Sequence, residues 1–276
     1  MSPTLTESLR VNAGPDGLRA DLAPELSNMP EGAAGGAPFG GLMAALSVRA
    51  ARAGLDLAAP LKSLTVQFVA GARFEPLDRR PELLRGGRQV SYASIRLGQG
   101  GRLATQALAT FGQDVEAVSL EALRPVGPPP VDSLPTTTLD PGFAPRFTRY
   151  VEHRFDGGPR LFGQNAGGEP VVRCWMRTAD RAPLDEDRLC FLLDAVFPVY
   201  FTALPPPPAL SVTIDLRYDL LGPVTAATSP DGWAWFEFAT RDLGGGWAVE
   251  DGVAFAPDGR PLALARQRRK LLAPRG

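Results

Sequence analysis

Asp194 is the one charged residue in the run Leu189-Cys190-Phe191-Leu192-Leu193-Asp194-Ala195-Val196-Phe197. Wound as a helix, this run is apolar on every other face and must be buried. A lone carboxylate in such surroundings costs several kcal/mol unless it is hydrogen-bonded or its pKa rises. Carboxyls held in that way serve as general bases or as water-orienting groups. A structural role stays open beside that one, with Asp194 bonded to a backbone amide or to an arginine such as Arg173 or Arg217.

Two further polar residues could act with it. Thr213 lies in the strand-like run Ser211-Val212-Thr213-Ile214-Asp215-Leu216-Arg217, and Gln267 lies in Leu262-Ala263-Leu264-Ala265-Arg266-Gln267-Arg268. Each has a plain alternative, Thr213 as a sheet residue and Gln267 as a solvated strand position. Asp215, two residues past Thr213, shares its face in a regular strand and is a reserve acid. Gly40 and Gly41 open a helical run, where backbone N–H groups free of side chains could polarise a carbonyl or hold an oxyanion. Close packing of helix on sheet would call for the same glycines. The single histidine, His153, sits in the alternating run Tyr150 to Phe155 and reads as a surface or interface residue, which leaves Ser-His-Asp, Cys-His and metal-His chemistries without a base or ligand.

The elements that must position these residues come in two copies. Ser63-Leu64-Thr65-Val66-Gln67-Phe68-Val69 returns 148 residues later as Ser211 to Arg217. A helix precedes each copy: Phe39 to Ala53, and Asp185 to about Phe197, with Asp185 as N-cap and Pro198 as the stop. Strand and hairpin signals follow each, through Gly98-Gln99-Gly100-Gly101 in the first copy and through Gly244-Gly245-Gly246 and Pro257-Asp258-Gly259 in the second. Seven strand-like stretches against two long helices make an α+β fold of two units. At the same offset, Leu46 stands where the second copy has Asp194. Between the copies, Leu123 to Pro145 holds seven prolines and reads as an extended linker without a core. The expected division is 1–122, a linker 123–145, and 146–276.

Composition excludes several classes. The 276 residues carry 29 basic and 30 acidic side chains, a balance with no electrostatic footprint for nucleic acid. No window approaches the roughly 18 apolar residues of a membrane span, and Met1 to Leu18, with Glu7, Arg10 and Asp16, lacks the apolar stretch of a signal peptide. Cys174 and Cys190, with one histidine, do not fit zinc spacing and read as reduced core residues of a cytoplasmic protein.

These pieces together resemble the double-hotdog acyl-CoA thioesterases of the thioesterase II group over nearly the whole chain. The resemblance rests on Gly35-Gly36 through Phe39-Gly40-Gly41, Ser63 to Phe68, Arg85-Gly86-Gly87-Arg88, Asp231-Gly232-Trp233, and Asp258-Gly259-Arg260-Pro261-Leu262-Ala263 followed by Gln267. It implies two tandem hotdog units, each a long helix wrapped by an antiparallel sheet, and hydrolysis of an acyl-CoA by an Asp, a Thr or Ser and a Gln in the C-terminal hotdog. Matched motif to motif, those residues fall on Asp194, Thr213 and Gln267. Leu216 and Leu220-Leu221 stand where the family often has histidines, and Leu42 where a glutamine is common, changes expected to reshape the pocket.

The reaction so implied is direct attack of water on an acyl thioester, with Asp194 as base, amides near Gly40 and Gly41 on the carbonyl, and neither cofactor nor metal. An enoyl-CoA hydratase or dehydratase would need a His beside the acid, and a non-catalytic acyl-binding hotdog protein would have no use for all three polar residues. Homo-oligomers are compatible with the fold, since two fused hotdogs already make the pair that single ones form by association.

Overall fold

The computed structural model describes residues 2–14, 17–116, 120, 122–164, 167–206 and 210–272. The first half contributes strands Asn12–Gly14 (β1), Gly17–Ala20 (β2), Leu61–Phe68 (β3), Leu77–Arg85 (β4), Val90–Gln99 (β5) and Arg102–Gly112 (β6). The second contributes Val151–Phe155 (β7), Val171–Thr178 (β8), Ser211–Leu220 (β9), Ala234–Gly244 (β10), Trp247–Phe255 (β11) and Pro261–Leu271 (β12). All pairings are antiparallel, in one sheet ordered β1-β2-β4-β5-β6-β3-β9-β12-β11-β10-β8-β7. Read inward from either edge, the two halves follow the same order, which is the repeat written in three dimensions. They join where β3 pairs with β9, and Gln67 there faces Asp215, its own counterpart 148 residues on. That pair marks a pseudo-two-fold axis.

Among the described residues, three α-helices accompany the sheet. Leu5–Ser8 (α1) is a single turn closed by a capping box between Thr4 and Glu7. Gly40–Gly54 (α2) is the expected first helix, and it is so rich in small and apolar residues that Gly41 to Val48, Ala50 and Ala51 are all buried. Glu186–Leu192 (α3) starts where expected, on the Asp185 side chain, which accepts from the Arg188 amide at 3.0 Å. It stops well before Phe197, however. With seven residues, it is not the long helix the sequence suggests, and the reason lies in the site described below.

Four of the twelve strands, β1, β2, β4 and β8, fall outside the stretches picked out by pattern. Of these, β4 carries Asp78-Arg79-Arg80-Pro81-Glu82, too polar and too interrupted to read as a strand, and β1 and β2 are very short. In β7, His153 is buried rather than superficial, stacked beside Phe155 with ring centroids 5.5 Å apart. The β7 alternation was visible; which face meets the core was not.

The proline-rich segment lies against the second half. Leu123, Val131 and Leu134 pack on the Trp175, Trp233, Trp235 and Phe255 cluster. The Trp175 indole donates to Pro129 O at 2.9 Å and Arg154 donates to Val131 O at 2.7 Å. Both cysteines are free and buried. Among the described residues, no helix is long and apolar enough to cross a membrane.

Where α2 meets α3, the halves are also joined by ion pairs. Arg52 forks onto Glu186 at 2.7 and 2.8 Å and donates to Ala59 O, while Glu186 accepts in addition from the Leu61 amide at 2.7 Å. Arg49 pairs with Asp187, whose burial, with Asp185 alongside, pushes its pKa up to about 7. Removing one partner of such a half-buried pair strands the other. Arg52→Met should therefore lower stability by about 2–3 kcal/mol, and the double variant Arg52→Met/Glu186→Gln should recover part of that loss in urea unfolding; equal, additive losses would contradict the coupling.

Candidate active site

The break in the second helix creates the site. Past α3, Asp194 and Ala195 make only short-range bonds, from their amides to Phe191 O and Leu192 O at 3.4 and 2.9 Å. A helix continuing through this point would bond the Val199 amide to the Ala195 carbonyl. Both ends of that bond are taken by side chains instead. The His153 ring meets Ala195 O through Nε2 at 3.1 Å, and Glu250 accepts from the Val199 amide at 2.5 Å. The unwound backbone keeps its hydrogen bonds, as buried backbone must, and Asp194 is released from helical geometry to face the sheet.

On the sheet side, β11 and β12 place their inward residues in a row. Thr240, Glu250, Gln267 and Leu216 follow one another across β10, β11, β12 and β9. Thr213 joins this face only because β9 is irregular. Asp215 lies opposite Arg268 but Thr213 lies opposite Arg269, so Ile214 is an extra residue that reverses the alternation between them. The first consequence is a correction: Asp215 does not share a face with Thr213, and it is no reserve acid. The second concerns Thr65, in the unbulged part of β3. It pairs with Leu108 and Arg217, both exposed, so the repeated threonine points outward in one half and inward in the other.

The three sequence-predicted residues converge. The Gln267 side-chain amide donates to Asp194 Oδ1 and to Thr213 Oγ1, both at 2.7 Å. Asp194 is 6% exposed and Gln267 7%. Burial is the main force on the Asp194 carboxyl and raises its pKa to about 6, while Arg269, the Gln267 bond and the Gly41 amide hold it down and Glu250 pushes it up. The arginine beside Asp194 is thus Arg269, its guanidinium 3.9 Å from Oδ1. Arg173 instead lies against Glu237, and Arg217 binds Asp219.

Both glycines lie at this point, with separate uses. A Cβ on Gly40 would sit 2.7 Å from Asp194 Oδ2 and 3.2 Å from the Phe68 ring, so position 40 must be bare for the carboxylate to reach the start of α2. A Cβ on Gly41 would meet the Phe39 ring at 2.5 Å and Phe191 O at 2.7 Å, a close-packing requirement between the helices. The Gly41 amide serves the Asp194 carboxylate, while the Gly40 amide, first in the helix, has no intrahelical acceptor.

Two residues of the site went unread in the sequence: Glu250 and Arg269, 5% and 8% exposed. Arg269 donates to Glu250 at 2.6 Å and to Gln267 Oε1 at 2.7 Å. Its spacing of two from Gln267 was the available signal, since alternation puts both on one face. A small cavity of about 20 Å³, the space of about one water, borders these groups, with apolar walls that include Leu193, Val196, Phe197, Leu216 and Phe238. Among the described residues, no cluster of His, Cys, Asp and Glu could hold a metal.

A buried carboxylate and a hydroxyl bridged by one side-chain amide, beside a helix N-terminus and a small apolar-walled cavity, form a geometry suited to activating water against a carbonyl. Family models match both halves of the chain. The family model described as acyl-CoA thioesterase C-terminal domain matches residues 125–268, and the one described as acyl-CoA thioesterase N-terminal domain matches residues 29–112. The chain belongs to the acyl-CoA thioesterase family of double-hotdog proteins.

Solved structures share the fold over full length. A hotdog-fold protein of unknown function from Alicyclobacillus acidocaldarius superimposes with a TM-score of 0.86 at 22% identity, covering 100% of both chains. The acyl-CoA thioesterase II TesB2 from Mycobacterium marinum gives 0.74 at 19% identity, covering 98% of this chain and 99% of that one. The dehydratase domain of RzxB from Pseudomonas fluorescens gives 0.57 at 14% identity, over 97% of this chain and 100% of that one. Comparison with curated proteins returns no match.

The Gly40 contact gives a direct test of the geometry. Gly40→Ala should displace the carboxylate and cost about 10²-fold in turnover, by the cost of small misplacements. A control, Gly71→Ala, meets nothing within 4 Å and should leave turnover and far-UV circular dichroism unchanged. Equal activity in both variants would show that Asp194 does not need its place against α2.

Proposed function

We propose that this chain hydrolyses an acyl-CoA thioester to the free acid and CoA by direct attack of water. The observation that carries the reading is the Gln267 amide bridging Asp194 and Thr213, since three residues far apart in sequence meet on one side-chain nitrogen. Gln267 spends both its N–H donors on these partners, so Thr213 accepts from it and keeps its own O–H, while the Asp194 carboxylate has lone pairs beyond those engaged by Gln267 and the Gly41 amide. A water between Asp194 and the Thr213 hydroxyl is oriented by both. Asp194 takes its proton as the oxygen attacks the thioester carbon. The first amide of α2, at Gly40, receives the developing oxyanion, and the Gly41 amide steadies the base. Collapse breaks the C–S bond, and the proton held by Asp194 passes to the departing CoA sulfur.

A hotdog dehydratase shares the fold but needs a histidine paired with the acid. The His153 ring is engaged with Ala195 O, and its burial lowers its pKa to about 4, so hydration of crotonyl-CoA is expected to be absent.

The Asp194 carboxyl sets the pH dependence. As a base with a pKa of about 6, it predicts that kcat/KM falls about tenfold per unit as pH drops below 6. Asp194→Asn should lose about 10²- to 10⁴-fold in turnover, measured by thiol trapping. Its stability should move the other way. A carboxyl whose pKa rises from 3.8 to about 6 on folding destabilises the native state above pH 6 and is relieved as pH falls toward 4. At pH 8, Asp194→Asn should be more stable than the wild type by up to about 3 kcal/mol, an advantage that narrows toward pH 4. Full turnover in the variant would refute the assignment.

A further inference from the structure

We propose that Arg269 and Glu250 form a positioning pair, in which Arg269 fixes the direction of the Gln267 amide and supplies the charge that keeps Asp194 ionised, and Glu250 holds Arg269 in place. The inference rests on the hydrolytic reading of the same site and extends it to two residues outside the Asp-Thr-Gln set.

The first ground is the amide. A glutamine side chain has an acceptor end and a donor end, and nothing in its shape selects between them. Here Oε1 accepts from Arg269 at 2.7 Å, so Nε2 is turned toward Asp194 and Thr213. The reversed amide would set two donors face to face at Arg269 and two acceptors face to face at Asp194. Arginine is the suitable partner because its fork also reaches Glu250 at 2.6 Å and Thr213 Oγ1 at 3.4 Å, with no capacity to accept.

The second ground is charge. Facing Asp194 are Arg269 from β12, Glu250 from β11, the Tyr218 phenol from β9 and the Gly41 amide from α2. Arg269 is the cation in that set, and it opposes the burial that favours the neutral acid. Glu250 opposes Arg269 in turn, yet it is indispensable to the arrangement. It receives the Val199 amide at 2.5 Å and the Thr240 hydroxyl at 3.2 Å, so the residue that anchors the arginine also fastens the unwound segment after Asp194. One buried carboxylate thus ties the sheet wall to the broken helix.

The pair is tested by titrating the Asp194 carboxyl directly, with ¹³C-labelled aspartate and Asp194→Asn to assign the signal, in the full chain. Arg269→Met should raise the Asp194 pKa by at least about one unit, and Glu250→Gln should lower it. A purely structural role would not move it in opposite directions. Arg269→Lys keeps the charge but not the fork. It should leave the titration close to that of the wild type while lowering kcat about tenfold or more with KM unchanged, because the Gln267 amide is no longer oriented. Should Arg269→Met not fold, the Glu250→Gln shift and the Arg269→Lys split carry the decision. An Asp194 titration unmoved by Glu250→Gln or by folded Arg269→Met, or wild-type kcat in Arg269→Lys, would overturn the proposal. The titration needs no substrate, so a wild-type protein that released no thiol from any acyl-CoA would defeat the hydrolase reading and leave the pair to be judged separately.

Discussion

A charged carboxyl in an apolar place has to be surrounded by donors, and the second half of this protein is shaped by that requirement. Asp194 cannot meet its partners from within a continuous helix, whose own backbone offers it nothing. The helix ends at Leu192, and the two ends of the bond that a longer helix would make between Ala195 and Val199 go to His153 and Glu250 instead. Gly40 gives way on one side, and the bulge at Ile214 turns Thr213 inward on the other. Each of these features is a local irregularity, and each is accounted for by where the carboxylate must sit.

The first half shows the same architecture without the carboxylate. Leu46, at the position corresponding to Asp194, is fully buried in a helix that runs unbroken from Gly40 to Gly54. Thr65 stays on the outer face because β3 has no extra residue beside it. What this half contributes to the site is the start of α2, with its bare glycines and the Gly41 amide that meets Asp194. The corresponding region across the pseudo-two-fold is occupied by ion pairs, Arg49 with Asp187 and Arg52 with Glu186. Two copies of one unit have diverged into a half that carries the buried carboxylate and a half that does not, by small changes, chiefly one helix break and one bulge.

Much of this was legible in the sequence, for identifiable reasons. The repeat of Ser63 to Val69 at Ser211 to Arg217 announced the two units, and the charge of Asp194 in an apolar run announced a carboxyl needing partners. The helix end was not legible, because its cause is tertiary: two side chains, from β7 and β11, replace a backbone bond. The bulge was hidden as well, so Asp215 looked like a neighbour of Thr213 when it faces the opposite way. Arg269 and Glu250 stood closer to view. Glu250 lies eight residues before Asp258 and Gln267 eight after Gly259, so folding the chain about that turn sets them side by side, as the register confirms. Sequence patterns report alternation faithfully, but a buried ion pair on an inward face breaks the expectation that inward means apolar.

The central claim is that Asp194 and Gln267 act as one unit on one water. The most direct measurement is the kcat for acyl-CoA hydrolysis of Asp194→Asn, Gln267→Ala and the double variant, at saturating substrate and constant pH. Residues that act as a unit are strongly non-additive, so the double variant should be slower than the worse single variant by no more than a few fold. Losses that multiply in full would mean that the two residues work independently, and the account of a single water-activating cluster would be wrong.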